Sequence, residues 1–380
     1  MARRCCMWWD MLHRPLFIGS EIYRGSSYGP AHPLRVPRVS TVMDLARALN
    51  WLPDAQYVTS PRAKPRALWS FHTPEYISAL ARAERRGAVS DPERAQFQLG
   101  THANPVFGEM FRRPATGAGG VILAGELLKD GGIVHVPGGG THHGMPDRAN
   151  GFCYLNDPVL AIKSLQHHGA TRVLYLDIDA HHPDGVEVGF RGDPDVRMIS
   201  VHEEKRWPFT GDFMDSAGGS AFNLPAPRGL NDTEMRVILE ELILPLITDF
   251  EPDAIVLQCG SDALDEDPLS RLSLSNNAHA AVVRAAMEMT STLMVLGGGG
   301  YNPWSVGRCW TRIWGVLNGF DAPEILDAEA ENFLRDLRFE GNSRGRNPPE
   351  TWFKTLADTP REGDVRDEVR TRIGILRARI

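Results

Sequence analysis

The chain has 380 residues, 42% of them hydrophobic and 23% charged, with a formal net charge of -7. This is globular composition, and an acidic balance with no basic stripe argues against nucleic acid as the main partner. No apolar run reaches the ~20 residues that a bilayer-spanning helix needs, which argues against a membrane partner.

Cys5, Cys6, Cys153, Cys259 and Cys309 form no C-x-x-C pair and are odd in number. They fit a reducing, cytoplasmic setting better than a disulfide framework. Residues 1–15 read as an N-terminal extension without order. Trp8, Trp9 and Asp10 interrupt any signal-type apolar stretch behind Arg3 and Arg4. A first strand is expected over 16–22. Pro30, Pro33 and Pro37 make 28–38 a loop. Ser40 is placed to cap a helix over 41–49, and Thr73 with Pro74 starts another that runs to 86. Residues 96–107 are loop-like, and 117–129 is a helix of small residues suited to close packing on a sheet.

Five runs of one kind follow, at 132–143, 172–182, 196–202, 254–262 and 293–301. Each is an apolar β-type segment ending in glycines or a polar cluster, and helical patterns separate them. Strands alternating with helices imply parallel units with right-handed crossovers. The expected fold is α/β: one open, mostly parallel sheet with helices on both faces, forming a single domain over 16–380. Ligands in such sheets bind beyond the carboxyl ends of the strands, so the polar tails of these runs share one rim. Beyond residue 319 the chain is helix-rich and charged and is expected to cover the sheet. Its terminal helix, 361–380, is a candidate interface for a homo-oligomer.

The segment 172–185, RVLYLDIDAHHPDG, carries the central puzzle. Its apolar start suits a strand buried on both faces. It then meets Asp177, Asp179, His181, His182 and Asp184. Each unpaired buried carboxylate costs roughly several kcal/mol, so a compensating charge is required. A divalent cation supplies it. Asp179 and His181, two apart, project to one side of an extended segment, as does Asp177. Asp262 adds a third donor at the tail of 254–262, although alone it reads equally well as a helix cap. Two oxygens and one nitrogen leave coordination positions open, as in catalytic sites. Zinc is the default, and iron(II) or cobalt(II) also suits an oxygen-rich set.

His142 and His143 follow three glycines and can divide acid and base work, with Asp177 and Asp184 available to fix their tautomers. Tyr301 follows four glycines, which let the backbone turn and present its hydroxyl to a developing oxyanion. Phe152 and Trp207 are core residues by default, and here are candidates to flank an apolar channel.

The motifs YGPAHP, GGGTHHGMPDRANGFCYLND, LYLDIDAHHPDGVE, QCGSDALDEDPL and GGGGYNPWSVGRCWT together resemble the zinc-dependent histone deacetylases of the arginase–deacetylase superfamily. The similarity is greatest to the bacterial acetoin-utilisation branch and covers roughly residues 16–320. The resemblance implies a hydrolase that cleaves an N-acyl amide to carboxylate and amine. Asp179, His181 and Asp262 would hold one zinc ion. His143, paired with Asp184, would be the general base, and His142, paired with Asp177, would orient water. Tyr301 would share the carbonyl oxygen with the metal. The Gly151 carbonyl would accept the substrate N–H, and Phe152 and Trp207 would line the tunnel. A structural potassium ion would rest on Asp177, Asp179, His181, Ser200 and Val201. His182 has no role in this scheme.

Two departures bear on the substrate. Ala103 stands where the family's rim loop often carries an acid that grips peptide backbone. RWPFTG, 206–211, replaces the more usual FFPGTG and sets Trp207 and Phe209 at a narrow gate. Both favour a small acylated amine, such as an acetylated polyamine or a foreign amide, over acetyl-lysine in peptides. A catalytically silent binding protein on the same fold is the remaining alternative, opposed by the intact triad, the histidine pair and Tyr301.

Overall fold

A computed structural model of the protein describes residues 14–338 and 348–380. The expected N-terminal extension therefore lies almost wholly outside the described residues. Eight strands form one sheet: β1 Leu16–Gly19, β2 Tyr57–Thr59, β3 Gly132–Val136, β4 Val173–Asp177, β5 Val196–Glu203, β6 Ala221–Ala226, β7 Ala254–Gln258 and β8 Thr292–Leu296. Their order is β2-β1-β3-β8-β7-β4-β5-β6, and every pairing is parallel. The sheet is thus the open α/β sheet expected, and parallel throughout.

Burial on both faces follows from residue alternation. Leu174 and Leu176 of β4 enter one core layer, and Val173 and Tyr175 enter the other. The first layer packs under helices Arg38–Ala48, Asn276–Met289 and Pro303–Leu317. The second packs under Pro74–Arg86, Arg112–Leu127 and Asp157–His167. The small-residue helix packs closely: a Cβ on Gly119 would lie 1.9 Å from the Pro61 carbonyl oxygen.

Several expectations need correction. The first strand stops at Gly19, and Ile22 begins a helical turn. Strands β2 and β6 were not foreseen. Strand β2 is only three residues long and only partly buried, while β6 carries Asn223 and Pro225. Both lie at sheet edges, where proline is tolerated and the apolar pattern weakens. Ser40 is not a cap; Pro37 precedes the helix, which starts at Arg38 and buries Ser40 inside. The loop-like stretch begins within a helix, Asp91–Phe97, held by a capping box from Ser90 and Glu93.

Beyond residue 319, helices Ala328–Asp336 and Thr351–Lys354 do not reach the sheet. Leu334 and Trp352 join Leu45 and Trp304 in a third cluster, outside the first helix layer. The terminal helix Asp367–Arg377 turns Val369, Ile373 and Leu376 into the chain's own core beside β6. Among the described residues, no helix is long and apolar enough to cross a membrane.

Candidate active site

Four neighbouring strands in the middle of the sheet, β3, β8, β7 and β4, deliver the polar residues from their carboxyl ends. Strand β4 ends at Asp177, so Asp179 and His181 do not project from an extended strand. Instead the Asp177 carboxylate accepts from the Asp179 N–H (2.8 Å), and the Asp179 carboxylate accepts from the His181 N–H (3.0 Å). Two successive side-chain-to-backbone turns curl the chain and bring Asp179 and His181 to one point. Asp262 comes from a short turn, Ser261–Ala263, after β7. It caps no helix. One carboxylate oxygen accepts from the Ala180 N–H (3.0 Å), and the other lies 2.9 Å from His181 Nδ1.

Ligand atoms of Asp179, His181 and Asp262 all lie within 4.8 Å of one another, and all three residues are buried. Glycines make the space. A Cβ on Gly260 would meet Asp179 Oδ2 at 2.0 Å, and one on Gly299 would meet Asp262 Oδ2 at 2.0 Å. The Gly299 N–H donates to Asp179 Oδ2 (2.6 Å). Burial and the neighbouring Asp179 charge raise the Asp262 carboxyl. Burial alone would lower His181, but its bonds to Asp179 and Asp262 push it up to about 10. Two carboxylates and one imidazole converging in a buried cluster are a donor set that fits a divalent cation.

The histidine pair sits beside this point. His142 Nδ1 lies 2.8 Å from Asp177 Oδ2, His143 Nδ1 lies 2.7 Å from Asp184 Oδ1, and the two Nε2 atoms are 2.8 Å apart. Burial would lower His142, but the charges of Asp179 and Asp177 push it up to about 9. Burial and the charge on His142 take His143 down to about 4. The two rings are thus pushed in opposite directions, His142 toward the protonated form and His143 toward the neutral one. Asp157 fixes their loop by accepting from the Gly140 N–H (2.5 Å), and Asn156 donates to the His142 and Gly144 carbonyls.

Tyr301 follows Gly298 and Gly300, at φ +126° and +143°, values that suit glycine alone. Its N–H donates to Asp267 (2.7 Å). Burial, then the Asp262 charge, lift its phenol well above the usual range, so it remains a donor. A cavity of about 750 Å³ leads to the site, with His143, Gly151, Phe152, His181, Trp207 and Tyr301 in its wall. Phe152 has φ +69°, unusual for a side-chain-bearing residue. Asn104 holds it by accepting the Phe152 N–H (3.1 Å), and Tyr28 donates to its carbonyl (3.3 Å). Among the described residues, the Gly151 carbonyl has only the weak Cys153 thiol donor, at 3.4 Å.

Phe209 does not stand at the gate. It is 73% exposed and absent from the cavity wall. The Phe209 N–H donates to the Arg206 carbonyl (2.7 Å), and φ of +64° closes a tight turn that throws the ring outward. His182 acquires a place: Nε2 meets Glu187 (2.8 Å) and Nδ1 meets Thr210 (2.9 Å), tying the metal segment to the gate loop. Ser200 pairs with Asp177 across β5 and β4, and its hydroxyl lies 2.8 Å from His202 Nδ1, outside the expected potassium set.

Tyr175, Gln258 and Asp267 were missed as site residues. The Tyr175 hydroxyl lies 2.6 Å from the Asp177 carboxylate and 2.8 Å from the Gln258 amide oxygen, and the Gln258 amide nitrogen lies 2.7 Å from His142 Nδ1. The available signal was a polar residue closing the apolar run AIVLQ, which registers Gln258 against Asp177.

The sequence pattern of the histone deacetylase domain matches residues 32–317. The chain belongs to the histone deacetylase family. Relatives in the family include the acetoin utilization protein AcuC of Bacillus subtilis, 35% identical over 328 residues, which are 83% of this chain and 84% of that one. Histone deacetylase 9 of Arabidopsis thaliana is 36% identical over 313 residues, 80% of this chain and 73% of that one. Among solved structures, a histone deacetylase homolog from Aquifex aeolicus and a homolog complexed with SAHA each superpose at a TM-score of 0.90. Each is 35% identical and covers 96% of this chain and 99% of its own. Family membership and fold agree on a deacetylase-type amide hydrolase with a candidate metal triad.

Proposed function

We propose that residues 16–380 act as one domain that hydrolyses an N-acyl amide to carboxylate and amine, with one divalent ion on Asp179, His181 and Asp262. The supporting observation is the convergence of two buried carboxylates with the His181 imidazole, which lines a cavity that also presents His143 and Tyr301. When bound, such an ion polarises an amide carbonyl and lowers the cost of forming hydroxide from water. Zinc is the default, and iron(II) or cobalt(II) is compatible with the same donors.

The chain's own groups divide the remaining work. His143 is the free base and takes the proton from water, with Asp184 on its Nδ1 holding the tautomer. The same proton later goes to the leaving amine. His142 carries its proton against Asp177 and adds positive charge beside the reacting carbonyl. Tyr301 donates to the developing oxyanion. The Gly151 carbonyl accepts the scissile N–H, and Phe152 and Trp207 exclude water from the acyl chain. A potassium ion on Asp177, Asp179, His181, Ser200 and Val201 belongs to the same reading.

Acetyl-lysine in peptides is the first substrate class. Ala103, which places a methyl group in the cavity wall, favours the second class, small acylated amines. A turnover panel of acetyl-lysine peptides, acetylpolyamines and short N-alkyl amides on metal-loaded protein tests the reading. Release of carboxylate from at least one class is expected. Failure on all of them, with metal bound, contradicts it.

A further inference from the structure

The mouth of the cavity has an unusual charge inventory. Arg148 and Arg206 line it, with His102 beside them, and among the described residues no carboxylate side chain does. Ala103 occupies the rim loop, held by His32 on its carbonyl (3.2 Å) and by Asn104, whose N–H donates to Thr101 (3.1 Å).

Arg206 is fixed rather than free. Its Nε and Nη2 donate to Glu203 (2.9 and 2.7 Å). Glu203 is only 5% exposed, and one of its oxygens also accepts from the Arg271 N–H (2.8 Å). The carboxylate thus lies behind the guanidinium, away from the opening. A guanidinium has five N–H donors. Two are spent on Glu203, and Nη1 has no partner among the described residues. The edge carrying Nη1 and the second Nη2 hydrogen remains available, in the fork geometry that matches a carboxylate. The side chain is held by its ion pair before any ligand arrives, so little freedom is lost on binding. Arg148 is more exposed and shares its charge with Asp147 (2.9 Å).

We infer that the mouth, through Arg206 with Arg148 in support, selects acylated amines whose far end carries a carboxylate, and disfavours substrates with a cationic far end such as acetylpolyamines. The inference rests on the amide-hydrolase reading above and names its substrate class. It replaces the polyamine option, because among the described residues no carboxylate lines this mouth to receive a polyammonium chain, and the nearby acids, Glu203 and Asp147, are each paired to an arginine. Anions are drawn to such a mouth and cations repelled, and added salt screens both effects.

Three compounds with the same five-methylene spacer isolate the charge: 6-acetamidohexanoate, its carboxamide, and N-acetyl-1,5-diaminopentane. On the metal-loaded protein kcat/KM should fall in that order, with the differences in KM rather than kcat. The carboxylate preference should shrink between 0.1 M and 1 M salt, over which the screening length falls from ~10 Å to ~3 Å. Arg206→Gln should cut the carboxylate-to-carboxamide ratio on the order of tenfold, the loss expected of a hydrogen bond to a charged group, and Arg206→Lys should restore part of it. Because Arg206→Gln leaves Glu203 without its partner, Arg148→Gln serves as a second variant on the surface and should lower the same ratio less. A ratio near one in the unaltered protein, a preference for the ammonium compound, or an unchanged ratio in both variants overturns the inference. The same compounds are titrated for binding by calorimetry. Absence of turnover on every amide would then count against hydrolysis itself, and the affinity order would still decide the charge selection.

Discussion

Asp179 and Asp262 hold oxygen atoms within 4.8 Å of each other and of a His181 nitrogen, all buried. Like charges at that spacing in the interior need a cation. Asp179→Ala should therefore abolish stoichiometric metal binding, read by elemental analysis after dialysis; retention of one ion per chain would remove Asp179 from the ligand set. Tyr301→Phe should keep the metal and lose on the order of 10²–10³ in turnover, the effect of one oxyanion donor. Near-normal turnover would take the phenol out of the mechanism. The candidate residues were legible because D-x-D-x-H-H-x-D after an apolar run has no inexpensive structural explanation. Their supports were less so. Tyr175 reads as one more apolar strand residue until its hydroxyl is seen on Asp177. Asp267 gives no periodic signal for its hold on the Tyr301 backbone.

Elements explain why some expectations held and others moved. Continuous apolar runs with polar tails identified β3, β4, β5, β7 and β8 because burial on both faces leaves that mark. The edge strands β2 and β6 carry no such mark: β2 is three residues long and only partly buried, and β6, although buried throughout, interrupts its apolar run with Asn223 and Pro225. Local backbone chemistry moved the rest: the Asx turns after Asp177 and the reversal at Phe209 depend on hydrogen bonds that side-chain alternation does not encode. The rim loop offers a test at this scale. Ala103→Asp adds an acid to the cavity wall that Arg206 and Arg148 also line, and should raise kcat/KM for acetyl-lysine peptides relative to small amides. An unchanged ratio refutes the role given to that position. The terminal helix offers another. Ile373 is buried beside β6, so Ile373→Ala should cost about 2–5 kcal/mol of stability in denaturant unfolding while leaving metal content intact. A loss under 1 kcal/mol would mean the helix is not part of the core.

For the whole molecule, buried neutral histidines set a direction of pH dependence. Burial takes His72 and His135 down to about 4 from the ordinary 6.5, and His32 likewise. The unfolded chain binds these protons first as pH falls. Their contribution is thus fully present above about pH 6.5 and is lost as pH falls toward 4, with a slope of ~1.4 kcal/mol per pH unit for each group. Thermal unfolding should shift downward from pH 7 to pH 5, and His135→Gln should flatten part of that slope; a melting temperature constant over the window contradicts the assignment. At this scale the parallel sheet, its rim and the convergence of four strand ends follow from the order of runs along the chain, since topology alone brings distant tails together. The charge of the cavity mouth does not, because Glu203, Arg206, Arg148 and Ala103 meet only once the loops are folded. The central claim is that one metal ion at Asp179, His181 and Asp262 is required to hydrolyse an acyl amide. It is tested most directly by stripping the protein of metal and adding back a divalent ion while carboxylate release is followed. The account predicts no release from the stripped protein, a rise that saturates at one ion per chain, and no rise in Asp179→Ala; full activity in the stripped protein would contradict it.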